Sequence, residues 1–341
     1  MFSFTNDYSE GACKPVLENL IKTNYVQTDG YGLDIFCKQA EKMIRNAIGN
    51  QNADVHFVQG GTPANVLAIC LLKSYEAVIC VETGHINTHE TGAVEATGHK
   101  ILQVKGKNGK ITPAEIEQVV IDHPDEHVTK PRMVFISNSS EFGTIYSKQE
   151  LIDISNMCKK HNLYLYMDGA RLASALTAIN NDLTLQDIAN LVDIFYIGGT
   201  KNGALLGEAM VIINDELKPN FRYLLKQHGS MLAKARIIGI EFITLFENNL
   251  YFELAKNANN MAQQLNEFFK SKGIQMYMES STNQIFPILE NGLIDRIRTK
   301  YSFENWCKYD EHHTVVRFVC SWATKQENID NFKNDFEQFI K

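Results

Sequence analysis

Asp168 and Lys201 are the residues whose types and spacing speak first of chemistry. Asp168 closes the apolar run Leu163-Tyr164-Leu165-Tyr166-Met167 and leads directly into Gly169-Ala170-Arg171. Lys201 follows 33 residues later, in Gly198-Gly199-Thr200-Lys201-Asn202-Gly203, behind a second apolar run. That separation suits one β–α–β unit, which returns a chain to the same edge of a sheet. Taken singly, Asp168 is a natural helix cap and Lys201 an ordinary surface lysine. A third group, Gln59-Gly60-Gly61-Thr62-Pro63-Ala64-Asn65, follows the first strong apolar run and opens a helical pattern. Thr62 is expected as the N-cap and Pro63 as the first helical residue. The amides of Gly61, Thr62 and Ala64 are then free to hold an anion at the positive end of the helix. A plain strand-to-helix turn is the alternative, and the segment is neither a G-x-x-x-x-G-K-[ST] loop nor a G-x-G-x-x-G turn.

A phosphate cradle, an acid and a lysine at the ends of neighbouring strands are what pyridoxal phosphate needs. The lysine binds it covalently, the carboxylate keeps the pyridine nitrogen protonated so that the ring draws electrons, and the helix terminus holds the phosphate. Gly84-His85-Ile86-Asn87-Thr88-His89-Glu90 comes after another strand and reaches the same edge. His85 can stack on an aromatic cofactor or act as a general base, with His89 in reserve. His85 and His89 also have metal-like i, i+4 spacing, but there is no third ligand and no H-E-x-x-H motif, so no metal site is expected.

The elements that must position these residues are legible as short apolar runs: Asp54–Val58, Glu76–Val81, 101–104, 133–137, 163–167 and 192–197. Helical faces lie between them, as in Val66, Ile69 and Cys70, or Leu151, Ile154, Met157 and Cys158. Such alternation implies a mostly parallel sheet covered by helices, with ligands at the carboxyl ends of the strands. Another strand is expected over 208–213, and largely helical patterns over 216–270. Strands near 275–278, 284–288 and 315–322 and a helix over 326–340 complete a small α/β unit. These patterns divide the chain into a large domain over 1–248, with an N-terminal arm, and a small domain over 249–341.

The 341 residues carry 33 basic and 40 acidic side chains, a net charge of −7, and are 44% hydrophobic. This composition belongs to a folded globular protein and offers no basic footprint for nucleic acid or an anionic membrane. The seven cysteines are odd in number, irregularly spaced and without a C-x-x-C pair, which excludes a disulfide framework and a zinc ribbon. With no signal-like N-terminus and no run of about 18 apolar residues, a soluble cytoplasmic protein is expected.

The chain resembles the threonine aldolase and β-eliminating lyase group of fold-type-I pyridoxal phosphate enzymes. The resemblance rests chiefly on Met167-Asp168-Gly169-Ala170-Arg171-Leu172 followed by Lys201. Asn6-Asp7-Tyr8-Ser9-Glu10-Gly11, Tyr31-Gly32-Leu33-Asp34, Gly60-Gly61-Thr62, His85 and Arg317-Phe318-Val319 extend it over nearly the whole chain. It implies an aspartate aminotransferase-like α/β fold and cleavage of L-threonine or L-allo-threonine to glycine and acetaldehyde. It implies Lys201, His85 and Asp168 as catalytic residues, and Gly60, Gly61, Thr62 and Arg171 beside them around pyridoxal phosphate. Asn6, Tyr31, Arg171 and Arg317 are implied for the amino-acid substrate, the arginines because a planar fork meets a carboxylate with two hydrogen bonds. It implies a homo-oligomer, a tetramer or at least a dimer, whose sites a neighbouring subunit completes through the Tyr31-Gly32 loop.

Departures from the family pattern occur at Asn6, at Thr200-Lys201-Asn202 and at Ser230-Met231-Leu232, where Lys234 or Arg236 stands in for a missing arginine. They leave open β-elimination or transamination of another amino acid on the same cofactor. Two further classes are a metal-dependent hydrolase built on His85, His89 and Glu90, and a binding module without catalysis. The second gives Asp168 and Lys201 no reason to be paired.

Overall fold

A computed structural model of the chain describes residues 1–340. Lys341, the last residue of the expected small domain, lies outside the described residues.

Seven strands form the central sheet: β1 (Asp54–Val58), β2 (Glu76–Val81), β3 (Lys100–Val104), β4 (Lys130–Ser137), β5 (Tyr164–Asp168), β6 (Ile194–Gly198) and β7 (Glu208–Ile212). Their order is β1-β7-β6-β5-β4-β2-β3. Neighbours from β6 through β3 are parallel, while β7 runs antiparallel to both β6 and β1. Strand residues alternate between two hydrophobic clusters. Leu165, Met167, Phe195 and Ile197 enter one with Phe242 and Leu245. Tyr166, Ile194 and Tyr196 enter the other with Ala64 and Leu67 of the helix Gly61–Ile69. Burial of both faces explains why these strands read as continuous apolar runs.

A third cluster joins Phe4 to Leu265, Phe269, Phe318, Phe332 and Phe336. It packs the helices Leu250–Ser271 and Gln326–Phe339 on an antiparallel sheet of β8 (Gln284–Ile285), β9 (Ile288–Glu290), β10 (Glu304–Lys308) and β11 (His313–Val319). The helix Leu250–Ser271 joins the cores, with Tyr251 and Ala255 in the first and Leu265 and Phe269 in the third.

The strand expected near 275–278 is reduced to a single bridge between Met276 and Pro287. Proline has no N–H to extend a ladder there. The run expected over 284–288 is correspondingly split into β8 and β9 around Phe286 and Pro287. β10 was not expected; its half-exposed pattern hides it. No helix among the described residues is long and apolar enough to cross a membrane.

Candidate active site

The carboxyl ends of the parallel strands open into a cavity of about 240 Å³. Roughly 150 Å³ suffices for a benzene-sized ring, so one substituted aromatic ring has room. Gly60, Gly61 and Thr62 reach it from the turn after β1, and His85 from the turn after β2. Asp168 and Arg171 reach it from the end of β5, and Lys201 from the turn after β6.

Asp168 is buried and held on three sides. Its Oδ1 accepts from the Tyr196 hydroxyl at 2.5 Å and the Ala170 amide at 2.9 Å, and its Oδ2 from Asn65 Nδ2 at 3.2 Å. Burial, and next the Asp168 charge, push the Tyr196 phenol well above its ordinary pKa, so it remains a donor. Asp168 does not cap the following helix: Arg171 is at the N-cap of Leu172–Leu176. Thr62 is likewise not the N-cap of its helix. Gly60 occupies that position without a side-chain cap, and the helix begins at Gly61. A glycine cap leaves the amides of Gly61 and Thr62 free, where a threonine side chain would occupy one; the Ala64 amide, expected to be free, instead donates to the Gly60 carbonyl at 3.2 Å. A Cβ at Gly61 would stand 3.0 Å from the Tyr196 hydroxyl, which favours glycine there.

Lys201 has its pKa lowered by burial and by the charge of Arg171, and Asp7, Glu141 and Asp168 act against this. Its loop is tied to β7, since Glu208 Oε2 accepts the Gly199 amide at 2.8 Å. Burial pushes the Glu208 carboxyl up to about 7. Arg171 donates from Nε and Nη2 to the two Asp7 oxygens at 2.8 and 3.1 Å, and Asn283 donates to Asp7 at 2.9 Å. Burial works against both charges, yet the Arg171 charge holds Asp7 below its ordinary pKa and Asp7 holds Arg171 above its own.

His85 Nδ1 lies 2.7 Å from Glu90 Oε1, which also accepts from Asn65 at 2.6 Å. Asn65 Oδ1 accepts from the Tyr166 hydroxyl at 2.7 Å. One buried network thus runs from His85 through Glu90 and Asn65 to Asp168. Burial lowers the imidazole pKa, but the Glu90 hydrogen bond and the charges of Glu141 and Asp168 outweigh it and leave His85 above its usual range. The metal alternative has no geometric support: His89 is exposed, and no group of three or more His, Cys, Asp or Glu among the described residues is disposed for an ion.

Three expected substrate residues do not line this cavity in the chain. Asn6 folds back on its own turn, its Oδ1 accepting from the Tyr8 amide at 3.0 Å and Ser9 Oγ at 2.9 Å, and Tyr8 is the residue that reaches the cavity. Tyr31 is half-exposed beside a separate small cavity, its carbonyl accepting from Arg222 at 3.1 Å. Arg317 on β11 is turned to Glu304, to Gln284 Oε1 at 3.2 Å and to the Trp306 ring at 5.2 Å. Asn65, Glu141, Tyr196 and Glu208 were missed by the sequence reading. Asn65 and Glu208 had a usable signal, a polar residue within an apolar helix and an apolar strand, where burial demands a partner. Glu141 lies in a polar loop and offered none.

The cavity fits pyridoxal phosphate. Beyond the amine, carboxylate and free amides, Gln59 Oε1 and Ser139 Oγ on its wall are buried without a hydrogen-bond partner among the described residues. Groups left so are costly unless a ligand satisfies them.

A family model for β-eliminating lyases matches residues 10–291. The chain belongs to the β-eliminating lyase family. A low-specificity L-threonine aldolase of Pseudomonas sp. is 32% identical over 331 residues, covering 96% of this chain and 94% of that protein. The solved structure of a Leishmania major threonine aldolase is 44% identical, covers both chains completely and superposes with a TM-score of 0.99. A Thermus thermophilus aspartate aminotransferase, 13% identical with a TM-score of 0.73 over 99% of this chain and 91% of its own, shares the fold alone. The architecture is therefore that of fold-type-I pyridoxal phosphate enzymes, and the family member described here is a lyase.

Proposed function

We propose that this protein uses pyridoxal phosphate to cleave L-threonine and L-allo-threonine to glycine and acetaldehyde, with looser acceptance of other β-hydroxy-α-amino acids. The observation that carries the reading is the convergence of Lys201, Asp168 and a glycine-capped helix start on one cavity. The aldolase relatives, at 32% and 44% identity, support the choice of reaction.

Lys201 would hold the cofactor covalently, the amides of Gly60, Gly61 and Thr62 its phosphate, Asp168 its ring nitrogen, and His85 one face of the ring. When bound, pyridoxal phosphate supplies an electron-withdrawing conjugated ring that allows a bond at the substrate Cα to break. Burial and Arg171 move the Lys201 amine toward the uncharged form that a nucleophile requires. Tyr196 and Asn65 fix Asp168 so that its charge has one location. Arg171, presented by Asp7 on the cavity wall, would orient the substrate carboxylate, with Arg317 joining it from outside the cavity lining, and that orientation selects which Cα bond is cleaved.

We further propose a homo-oligomer in which the Tyr31 loop completes a neighbour's site. Ile21, Tyr25, Tyr31, Leu33 and Ile35 are exposed on the N-terminal segment, and such apolar surface favours contact with a second copy. The division of the chain near residue 248 belongs to the same reading.

A visible spectrum with and without glycine, followed by product analysis, tests the assignment. A spectral shift with glycine, and acetaldehyde with glycine from L-threonine, are expected. Ammonia with 2-oxobutanoate would overturn the aldolase reading in favour of an eliminating lyase.

A further inference from the structure

Retro-aldol cleavage needs a base at the substrate β-hydroxyl, and the chain must supply it or hold it. His85 is the obvious candidate and a poor one. Its Nδ1 is held by Glu90, which leaves Nε2 as the one nitrogen able to take a proton, and one imidazole cannot easily lie flat on a ring and also reach a hydroxyl beyond it.

Glu141 stands on the wall of the same cavity. It is 8% exposed, yet its carboxylate takes part in no hydrogen bond or ion pair among the described residues. Neither oxygen is sealed off like the buried unpartnered atoms of Gln59 and Ser139, and the residue lines the cavity. Its charge is felt at His85, Lys201, Arg171 and Arg317, so it sits among the groups assigned to cofactor and substrate.

The turn that presents Glu141 is unusually well fixed. It follows β4, whose last residue, Ser137, pairs with Asp168. The Ser140 amide donates to the Thr144 carbonyl at 2.8 Å and the Gly143 amide to the Ser140 carbonyl at 2.9 Å. From the C-terminal unit, Ser280 and Thr282 hydroxyls both donate to the Gly143 carbonyl at 3.1 Å. Phe142 packs edge-on against Phe286 and Trp306, at 6.0 and 5.6 Å between ring centres. Gly143 has φ +70°, and a Cβ there would stand 2.4 Å from Ser280 Oγ, so the turn has no slack at this position. A carboxylate held this way by both parts of the molecule, without a partner of its own, is preorganised for something that is not protein.

We propose that Glu141 is the catalytic base that takes the proton from the substrate β-hydroxyl. The inference rests on the retro-aldol reading and deepens it. The O–H bond breaks and its proton passes to a Glu141 oxygen. The O–H electron pair becomes the second C–O bond of the departing aldehyde as the Cα–Cβ bond breaks. The Cα–Cβ pair stays with the glycine fragment, where one proton delivered to Cα balances the one removed, and no oxidant or co-reactant is consumed.

Glu141→Gln and Glu141→Asp, each loaded with pyridoxal phosphate, test this beside wild type. In E141Q, kcat for acetaldehyde release from L-threonine should fall by about 100-fold or more, as for loss of a general base. E141D should recover part of it. Glycine has no β-hydroxyl, so its dissociation constant from absorbance titration and its α-hydrogen exchange in deuterated water should stay within about threefold of wild type, as should borohydride-fixed cofactor on Lys201. Cleavage of threonine by E141Q within about threefold of an active wild type overturns the assignment. So does parallel loss of glycine binding or exchange, which would make Glu141 a charge that organises the site. A wild type that releases no acetaldehyde from threonine overturns the retro-aldol reading itself, and this assignment with it.

Discussion

The strand-end cavity and the C-terminal unit each contribute an arginine, buried Arg171 and part-buried Arg317, and the two are held in different ways. Arg171 meets Asp7 with two hydrogen bonds, and both members of the pair are almost wholly buried. Arg317 meets Glu304 across β10 and β11, where the acid keeps 39% side-chain exposure. Its Nε is buried without a partner among the described residues. Burial, and next the Arg171 charge, lower the Arg317 pKa, whereas Asp7 keeps that of Arg171 high. Asp7 fixes where Arg171 presents its remaining N–H groups, and the incompletely satisfied Arg317 retains affinity for an anion that has yet to arrive.

The largest expected effect comes from breaking the compensated pair. Asp7→Ala leaves Arg171 charged and buried without its partner, and such losses cost about 3–5 kcal/mol. Glu304→Ala removes a half-exposed partner and should cost no more than about 1 kcal/mol. Urea unfolding of both variants decides the matter, and equal losses would erase the contrast. The converse holds for binding. Arg317→Lys should weaken glycine by more than tenfold, about 1.4 kcal/mol, with little change in the unfolding midpoint. Unchanged glycine affinity would make Arg317 a structural residue.

The same contrast explains which parts of the site were readable in the sequence. Asp168, Lys201, Gly60 and His85 follow apolar strands, so strand periodicity alone brings them to one sheet edge. Arg317 lies on a strand of another sheet, and whether it faces the cavity depends on how two cores dock across the helix Leu250–Ser271. Local pattern carries no information about that. Asn6 satisfies its own turn and Tyr31 stands on an exposed loop, outcomes set by tertiary contacts. Glu141 was silent because its turn acquires its shape from Ser280, Thr282 and Phe286, nearly 140 residues away in sequence.

A smaller effect is expected from two buried carboxyls of the large unit, Glu208 on the cavity wall and Glu241, which accepts from the Leu206 amide. Burial raises Glu208 to about 7 and Glu241 to about 8. In the unfolded chain both ionise near their ordinary 4.5. Between pH 4.5 and about 8 these two groups therefore hold more protons in the folded than in the unfolded chain, and their contribution to stability falls as pH rises. Glu241→Gln should flatten the upper part of that decline in urea unfolding measured at successive pH values. A decline unaltered by the substitution would assign it to other groups.

The smallest effect on turnover is expected from His85→Phe. Phenylalanine keeps an aromatic face in the cavity and removes the proton-carrying nitrogens, so stacking survives and acid–base chemistry does not. If Glu141 acts at the β-hydroxyl, kcat on L-threonine should fall by less than about tenfold, or about 1.4 kcal/mol of barrier. Stability should respond more clearly, because Glu90 Oε1 loses its 2.7 Å partner and keeps only Asn65, while Oε2 is already unpartnered. A buried acceptor deprived in this way costs about 1–3 kcal/mol. A turnover loss comparable to that of E141Q, with an unchanged unfolding midpoint, would return the base role to His85 and reduce Glu90 to orienting its ring.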